Sequence, residues 1–104
     1  MSRRPSGAAS KDEVRWAHRR AAVGARIREL RLQGGLTQEA LALESGLSRN
    51  HIIYLEWGRH SIRFERLFDI AEALDVSVAA LFDPPSSPPT QRPYRGGRSP
   101  MRDR

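Results

Sequence analysis

The chain contains no cysteine, and lysine occurs only once, at Lys11, among its 18 basic residues. The absence of cysteine excludes disulfide bonds, cysteine-ligated zinc and thiol catalysis, and it fits a reducing compartment. No apolar run approaches the roughly 18 residues that would span a bilayer. Basic residues at the N-terminus are not followed by an apolar segment, so no secretory signal peptide is predicted.

Positive charge is concentrated at the two ends of the 104-residue chain, whose net charge is +6. Residues 1–20 carry six basic and two acidic side chains, and residues 84–104 carry five and one. Residues 21–83 carry seven basic and nine acidic side chains. Arginine, which binds phosphate groups through two parallel hydrogen bonds, supplies 17 of the basic residues. A core with basic arms is typical of nucleic-acid binding, although such arms can equally be solubilising ends.

The length corresponds to one domain, and the composition divides the chain into three segments. Residues 1–20 are expected to form a basic N-terminal extension, partly helical from about residue 11. Residues 21–83 are expected to form the folded domain. Residues 84–104 are rich in proline and arginine and cannot bury enough apolar surface to become ordered, so this tail is predicted to be disordered, as are residues 1–9.

Capping residues and glycines predict an all-α fold of five short helices with no strand. Ser10 begins a capping box with Glu13, and the helical segment 11–33 ends at the glycine pair 34–35. Because Gly24 weakens the middle of this segment, one helix and two helices both remain compatible with the pattern. The other helices are predicted at 38–44, 49–57, 63–74 and 78–82. The fourth helix is expected to bury an apolar stripe of Phe64, Leu67, Phe68, Ala71 and Leu74.

The second and third helices, joined by a tight turn at Gly46, form a helix-turn-helix signature over residues 37–57. At 100° per residue, the inward face of the third helix carries Ile52 and Leu55. Its outward face is predicted to carry Arg49, Asn50, Ile53, Tyr54 and Trp57. Several large apolar or aromatic side chains on one exposed face indicate a binding partner. In a DNA major groove, arginine suits guanine, asparagine suits adenine, and isoleucine can contact a thymine methyl group. The alternative is that Ile53 and Trp57 pack under a neighbouring helix or the N-terminal arm.

A series of motifs runs through the five predicted helices without an insertion. It comprises Val23-Gly24-x-x-Ile27-Arg28-x-Leu30-Arg31, Leu36-Thr37-Gln38-Glu39-x-Leu41-Ala42, Gly46-Leu47-Ser48, Ile52-x-x-Leu55-Glu56-x-Gly58-Arg59, Leu67-x-x-Ile70-Ala71-x-Ala73-Leu74 and Val76-Ser77-x-x-x-Leu81-Phe82. This series resembles the Cro/Xre-type helix-turn-helix family of small phage-repressor-like regulators. The resemblance implies a compact five-helix, lambda-repressor-like DNA-binding domain. The chain departs from the family pattern at three positions: Ile62 replaces a proline, Asp75 replaces a glycine, and Arg63 replaces a small polar helix cap, so that Ser61 is expected to cap instead.

The resemblance also implies roles for individual residues. Arg49, Asn50 and Tyr54 match base-contacting positions, and Ile53 joins them on the predicted outward face. Contacts to the DNA backbone are implied for Thr37, Gln38 and Arg59, and Trp57 and His60 are expected, apart from the resemblance, to add to them. Arg31 and Glu56 match a structural ion pair that ties the first helix to the end of the third. A homodimer surface is expected where apolar residues remain after the core is filled, at Leu74, Val78, Leu81 and Phe82.

These observations predict a sequence-specific transcriptional regulator, either a repressor or an activator, that binds double-stranded DNA as a homodimer on a two-fold operator. An enzyme is not predicted, because His18, His51 and His60 belong to no metal-spaced or nucleophile motif, and neither a cofactor nor a metal site is expected. The alternative is an antitoxin or coactivator-like module whose basic tails bind a partner protein. The protein is expected to be bacterial or phage-encoded and to be located in the cytoplasm, in association with the nucleoid.

Overall fold

The computed structural model describes residues 10–86, which form an all-helical domain with no strand in that range. Four α-helices are followed by one 3-10 helix, here called η1: α1 Lys11–Gln33, α2 Gln38–Ser45, α3 Arg49–Glu56, α4 Phe64–Leu74 and η1 Val78–Phe82. The all-α prediction is therefore confirmed, while the fifth predicted helix is a short 3-10 segment. Of the ends predicted to be disordered, residues 1–9 and 87–104 lie outside the described residues, whereas residues 84–86, at the start of the predicted tail, are described.

Side-chain caps set the beginning of most helices. The hydroxyl groups of Ser10, Thr37 and Ser48 each accept a hydrogen bond of 3.0 Å from the backbone N–H three residues later. Ser77 caps η1 in the same way, at 3.2 Å. Such caps satisfy backbone donors that have no partner within the helix. Arg63 is the N-cap residue of α4 and makes no side-chain cap, so the expectation that Ser61 caps this helix is wrong.

α1 is a single helix that crosses the C-terminal end of α3 so closely that the backbones of the two helices are in contact. A Cβ atom placed on Gly24 would overlap the carbonyl oxygen of Leu55 and lie 2.8 Å from that of Glu56. In the loop after α3, Gly58 has a φ of +73°, and a Cβ atom there would lie 2.6 Å from the Cα atom of Ala21. Glycine is therefore required at both crossing points, and Gly24 is a point of backbone contact between α1 and α3.

The core takes one fully buried side chain from each helical element. These five residues are Ile27, Leu41, Ile52, Ile70 and Leu81. Leu81 therefore fills the core, and the prediction that it remains available at a dimer surface is wrong. Leu74 and Val78 are half-buried against the same cluster, whereas Phe82 is exposed.

The buried face of α4 differs from the predicted stripe. Phe64 and Phe68, which the sequence pattern places in the core, are 69% and 52% exposed. Ile70 is fully buried and Ala71 nearly so. At 100° per residue, this arrangement leaves Phe64 and Phe68 at one edge of the buried face. On α4, two phenylalanines one helical turn apart are therefore exposed.

The turn between α2 and α3 is held from two sides. Gly46 adopts a left-handed conformation with a φ of +78°, and the N–H groups of Gly46 and Leu47 both donate to the carbonyl oxygen of Ala42. From α4, the Arg66 guanidinium donates to the carbonyl oxygens of Gly46, at 2.8 Å, and Ser45, at 3.3 Å. The relative orientation of α2 and α3 is thus supported by α4 as well as by the turn itself.

The segment after η1 returns to α1. Arg26 donates to the carbonyl oxygen of Ala80 at 2.9 Å and pairs with Glu29 at 2.9 Å. The N–H of Ser86 donates to both oxygens of the Glu29 carboxylate, at 3.2 and 2.9 Å. Hydrogen bonding from Ser86, followed by that from Arg26, lowers the pKa of the Glu29 carboxyl. Ser86, the third residue of the predicted C-terminal tail, is therefore hydrogen-bonded to α1.

Candidate DNA-contacting surface

Three of the predicted base-contacting residues share an exposed face of α3. Arg49 and Asn50 are exposed in its first turn, directly after the Ser48 cap, and Tyr54 is exposed one turn after Asn50. Ile52 and Leu55, on the opposite side, are buried in the core. The helix therefore presents a guanidinium, a carboxamide and a phenol together on a rigidly packed element.

Ile53 does not belong to this face. Its side chain is only 3% exposed, so the prediction that it points outward to contact bases is wrong, and the packing alternative applies to it. We attribute its burial to α1, because α1 touches the α3 backbone at Gly24 and the following loop at Ala21. Trp57, on the same flank of α3, is half-buried as the C-cap residue. The Arg59 guanidinium carbon lies 5.8 Å from the centre of the Trp57 ring.

A cluster of three rings joins α3 to the loop that follows it. The centres of the Tyr54 and His60 rings are 4.9 Å apart, and the ring planes are inclined at 37°. His60 also meets His51 edge-on, with ring centres 5.8 Å apart. The Nε2 atom of His51 is buried and has no hydrogen-bond partner in the described part of the chain. Sequence spacing gives no indication of this cluster, because the 58–63 loop has no pattern that predicts its path.

The predicted backbone-contacting residues stand at two places around α3. Thr37 and Gln38 begin α2, whereas Arg59 and His60 follow α3 and are exposed. The Thr37 hydroxyl accepts from Ala40 N–H. The Gln38 carboxamide donates to Glu56 at 3.1 Å, so part of its hydrogen-bonding capacity is used within the domain.

Arg31 and Glu56 form a buried bidentate ion pair. Arg31 Nε lies 2.6 Å from Glu56 Oε2, and Nη2 lies 3.0 Å from Oε1. Their side chains are 3% and 1% exposed, and Arg31 Nη1 also donates to the carbonyl oxygen of Leu36 at 2.9 Å. With Gln38 as a further donor to Glu56, the pair connects α1, the α1–α2 loop, α2 and the end of α3. The sequence-based expectation of this pair agrees with the geometry.

Among residues 10–86, no group of three or more histidine, cysteine or acidic side chains is arranged to hold a metal ion. No helix in this range is both long enough and apolar enough to cross a bilayer.

The arrangement of two capped helices around a glycine turn agrees with a known sequence family. The helix-turn-helix family HTH_3 matches residues 27–81, which is more than half of the chain. The chain belongs to this family. HTH_3 proteins are Cro/C1-type helix-turn-helix regulators, a DNA-binding family rather than an enzyme family.

Known HTH_3 and HTH-type proteins are similar to this chain over most of the described residues. An HTH-type transcriptional regulator of Sinorhizobium fredii, y4dJ, is 37% identical over 70 residues, which cover 67% of this chain and 91% of the relative. The crystal structure of the restriction-modification controller protein C.AhdI from Aeromonas hydrophila is 39% identical, with a TM-score of 0.59, and the match covers 60% of this chain and 94% of C.AhdI.

A further solved structure contains DNA. The restriction-modification controller C.Esp1396I, as a tetramer in complex with its natural 35-base-pair operator, is 34% identical with a TM-score of 0.56. The match covers 60% of this chain and 82% of that protein. The HTH_3 match begins at Ile27, so the first 16 residues of α1 precede the part of the chain that the family describes.

Proposed function

We propose that the protein is a sequence-specific transcriptional regulator that binds double-stranded DNA with the first turns of α3 in the major groove. The observation that carries this proposal is the exposed face of Arg49, Asn50 and Tyr54 on a helix whose other side is locked into the core. A rigid support matters because base contacts discriminate only when the side chains are held in register with base edges.

The side chains on this face are suited to contact both guanine and adenine. Arg49 has a guanidinium that fits the two acceptors of guanine, and the Asn50 carboxamide fits the donor and acceptor of adenine. Tyr54 supplies a hydroxyl and an aromatic edge. Ile53 is omitted from the proposed base contacts, because it is buried.

Backbone contacts are proposed on both sides of this face. Thr37 and Gln38, at the start of α2, are assigned to phosphates of one DNA strand. Neighbouring phosphates are assigned to the residues that follow α3, namely Trp57, Arg59 and His60. These contacts position the protein without contributing sequence information. α4 carries the exposed Glu65 and Glu72, whose charge disfavours contact with DNA, so we assign α4 to the side away from the DNA.

The protein is further proposed to act as a homodimer on a two-fold operator, as a cytoplasmic, nucleoid-associated regulator. One helix-turn-helix contacts too few base pairs to be specific in a genome, and pairing doubles the site. C.Esp1396I, which resembles this chain in fold, occupies its operator as a tetramer. The surface favoured for pairing comprises the exposed Phe82 and the half-buried Leu74 and Val78. A second candidate surface for pairing is formed by the exposed Phe64 and Phe68 of α4.

Selection of bound sites from random double-stranded DNA tests the proposal. We expect enrichment of one motif with two-fold symmetry and half-sites separated by about one DNA turn, roughly 34 Å. Sedimentation at tens of micromolar should show a dimer. Failure to enrich any sequence would contradict the proposal. Recovery of one stoichiometric protein partner without DNA would favour the antitoxin or coactivator alternative instead.

A further inference from the structure

The ring of Tyr54 has a partner outside its own helix. Tyr54 is exposed on α3, and a tyrosine in that position would ordinarily be free to change rotamer. Here its ring packs on His60, with ring centres 4.9 Å apart and planes inclined at 37°. His60 is in turn held edge-on by His51, which lies on α3. The exposed phenol is therefore supported by a residue of the following loop.

The loop that carries His60 is itself anchored at several points. Arg59 N–H donates to the carbonyl oxygen of Tyr54 at 2.8 Å, which folds the loop back along α3. Gly58 is in backbone contact with Ala21, and its carbonyl oxygen accepts a hydrogen bond of 3.3 Å from Arg20 Nε. α1 thus fixes Gly58, two positions before His60, through Arg20 and Ala21, and these two residues precede the segment matched by the HTH_3 family.

We propose that His60 is a positioning residue that orients Tyr54 and thereby sets the base preference at the DNA position that Tyr54 contacts. The inference rests on the proposed function, because it deepens the role of the same surface. A side chain already held in its bound orientation loses less conformational freedom on binding and is less able to adapt to a wrong base. His60 acts through the contact of its ring with Tyr54, independently of any contact it makes to phosphate.

Three substitutions of His60 separate the ring from the charge. His60→Phe keeps an aromatic face but removes the nitrogen atoms. His60→Lys supplies a cation for phosphate but removes the ring, and His60→Ala removes both. Because His60 is exposed, all three variants are expected to retain the helical circular dichroism and melting temperature of the parent protein.

The experiment uses the full chain and the operator obtained by selection, with every single-base variant of one half-site. The base pair contacted by Tyr54 is identified as the position whose preference collapses in Tyr54→Ala. At that position, His60→Ala and His60→Lys should lower the ratio of affinities between preferred and other bases by roughly three- to tenfold, the range that an aromatic pair contributes. His60→Phe should preserve the ratio within about twofold. Ratios at the positions contacted by Arg49 and Asn50 should not change in any of the three variants.

A double substitution provides the internal control. In a Tyr54→Ala background, His60→Ala should have no further effect on base preference, because the ring that it orients is absent. If His60→Lys keeps the base preference, or if His60→Ala weakens binding to all bases equally, His60 is a phosphate contact only and the inference is overturned. Failure of the proposed function is distinguishable, because the parent protein would then show no base preference at any position.

Discussion

Gly24 of α1 lies directly against the carbonyl oxygen of Leu55 in α3, with space for no side-chain atom between the two helices. This contact places α1 across the end of the proposed base-contacting helix. A second close contact, between Ala21 of α1 and Gly58, follows in the loop after α3. We attribute the burial of Ile53 to the same crossing, and with Ile53 buried the exposed face of α3 is narrower than the sequence suggests. The stability of the domain should accordingly be sensitive to a single methyl group at residue 24.

Gly24→Ala should destabilise the domain by about 3 kcal/mol or more, because the added Cβ atom meets backbone atoms that cannot rotate away. For a domain of this size, the melting temperature should fall by more than about 10 °C. Gly34→Ala is the matched control: its Cβ atom would lie 3.4 Å from the nearest atom, at an ordinary φ of −84°. Thermal melts that show equal stability for the two variants would contradict the backbone contact.

Arg31→Met and Glu56→Gln should each destabilise the fold by about 3–5 kcal/mol, since either change leaves a buried partner without its counter-ion. Arg15→Met is the control, because the Arg15–Asp12 pair of α1 is exposed and should contribute less than about 1 kcal/mol. Urea unfolding gives the comparison. A midpoint for both buried-pair variants equal to that of the parent protein would show that the pair is solvated in solution.

Asp75→Gly should stabilise the protein by up to about 1 kcal/mol. Asp75 is the C-cap residue of α4 and has a φ of 60°. This left-handed conformation costs a residue with a Cβ atom about 1–2 kcal/mol, and glycine avoids that cost. The greater freedom of glycine in the unfolded chain offsets part of the resulting gain in stability. Gly46→Ala, at a φ of +78°, is the reciprocal control and should destabilise the protein. Chemical denaturation should order the three proteins as Asp75→Gly, parent, Gly46→Ala, and any other order would refute the backbone argument.

Deletion of residues 87–104 should weaken specific and non-specific DNA binding by similar factors and leave the base preference unchanged. The deleted segment contains Arg92, Arg95, Arg98, Arg102 and Arg104. Truncation after Ser86 retains the hydrogen bonds of Ser86 with Glu29. For each phosphate that the shortened protein no longer neutralises, the slope of log K against log salt should become shallower by about 0.9. A salt titration of both proteins on operator and scrambled DNA measures this slope, and an unchanged slope would show that the tail does not contact DNA.

Local signals in the sequence are sufficient to predict where most helices begin. Ser10, Thr37, Ser48 and Ser77 each cap the element that follows, as their position before an apolar-periodic segment predicts. Gly46 adopts the positive φ that the tight turn requires. These features depend on residues within a few positions of one another, so a single sequence is enough to identify them.

Burial at the edges of helices cannot be predicted in the same way. Periodicity places Ile53 outward and Phe64 and Phe68 inward, whereas Ile53 is buried and both phenylalanines are exposed. In each case the outcome depends on which other helix crosses that flank, and at what angle. Periodicity identifies the centre of an apolar face, but the extent of that face is set by tertiary packing. The Tyr54–His60 contact is unpredictable for the same reason, since it depends on the path of the loop after α3.

The placement of α3 in the major groove is tested by the affinity of Arg49→Ala and Asn50→Ala for every single-base variant of the selected operator. Each substitution should cost roughly 1–3 kcal/mol on the parent operator and relax discrimination at one base position, leaving the others intact. The circular dichroism of both variants should equal that of the parent protein, because both side chains are exposed. Glu65→Gln, an exposed change on α4, should alter no base preference and serves as the control. Full retention of discrimination by both variants would contradict the placement of α3 in the major groove.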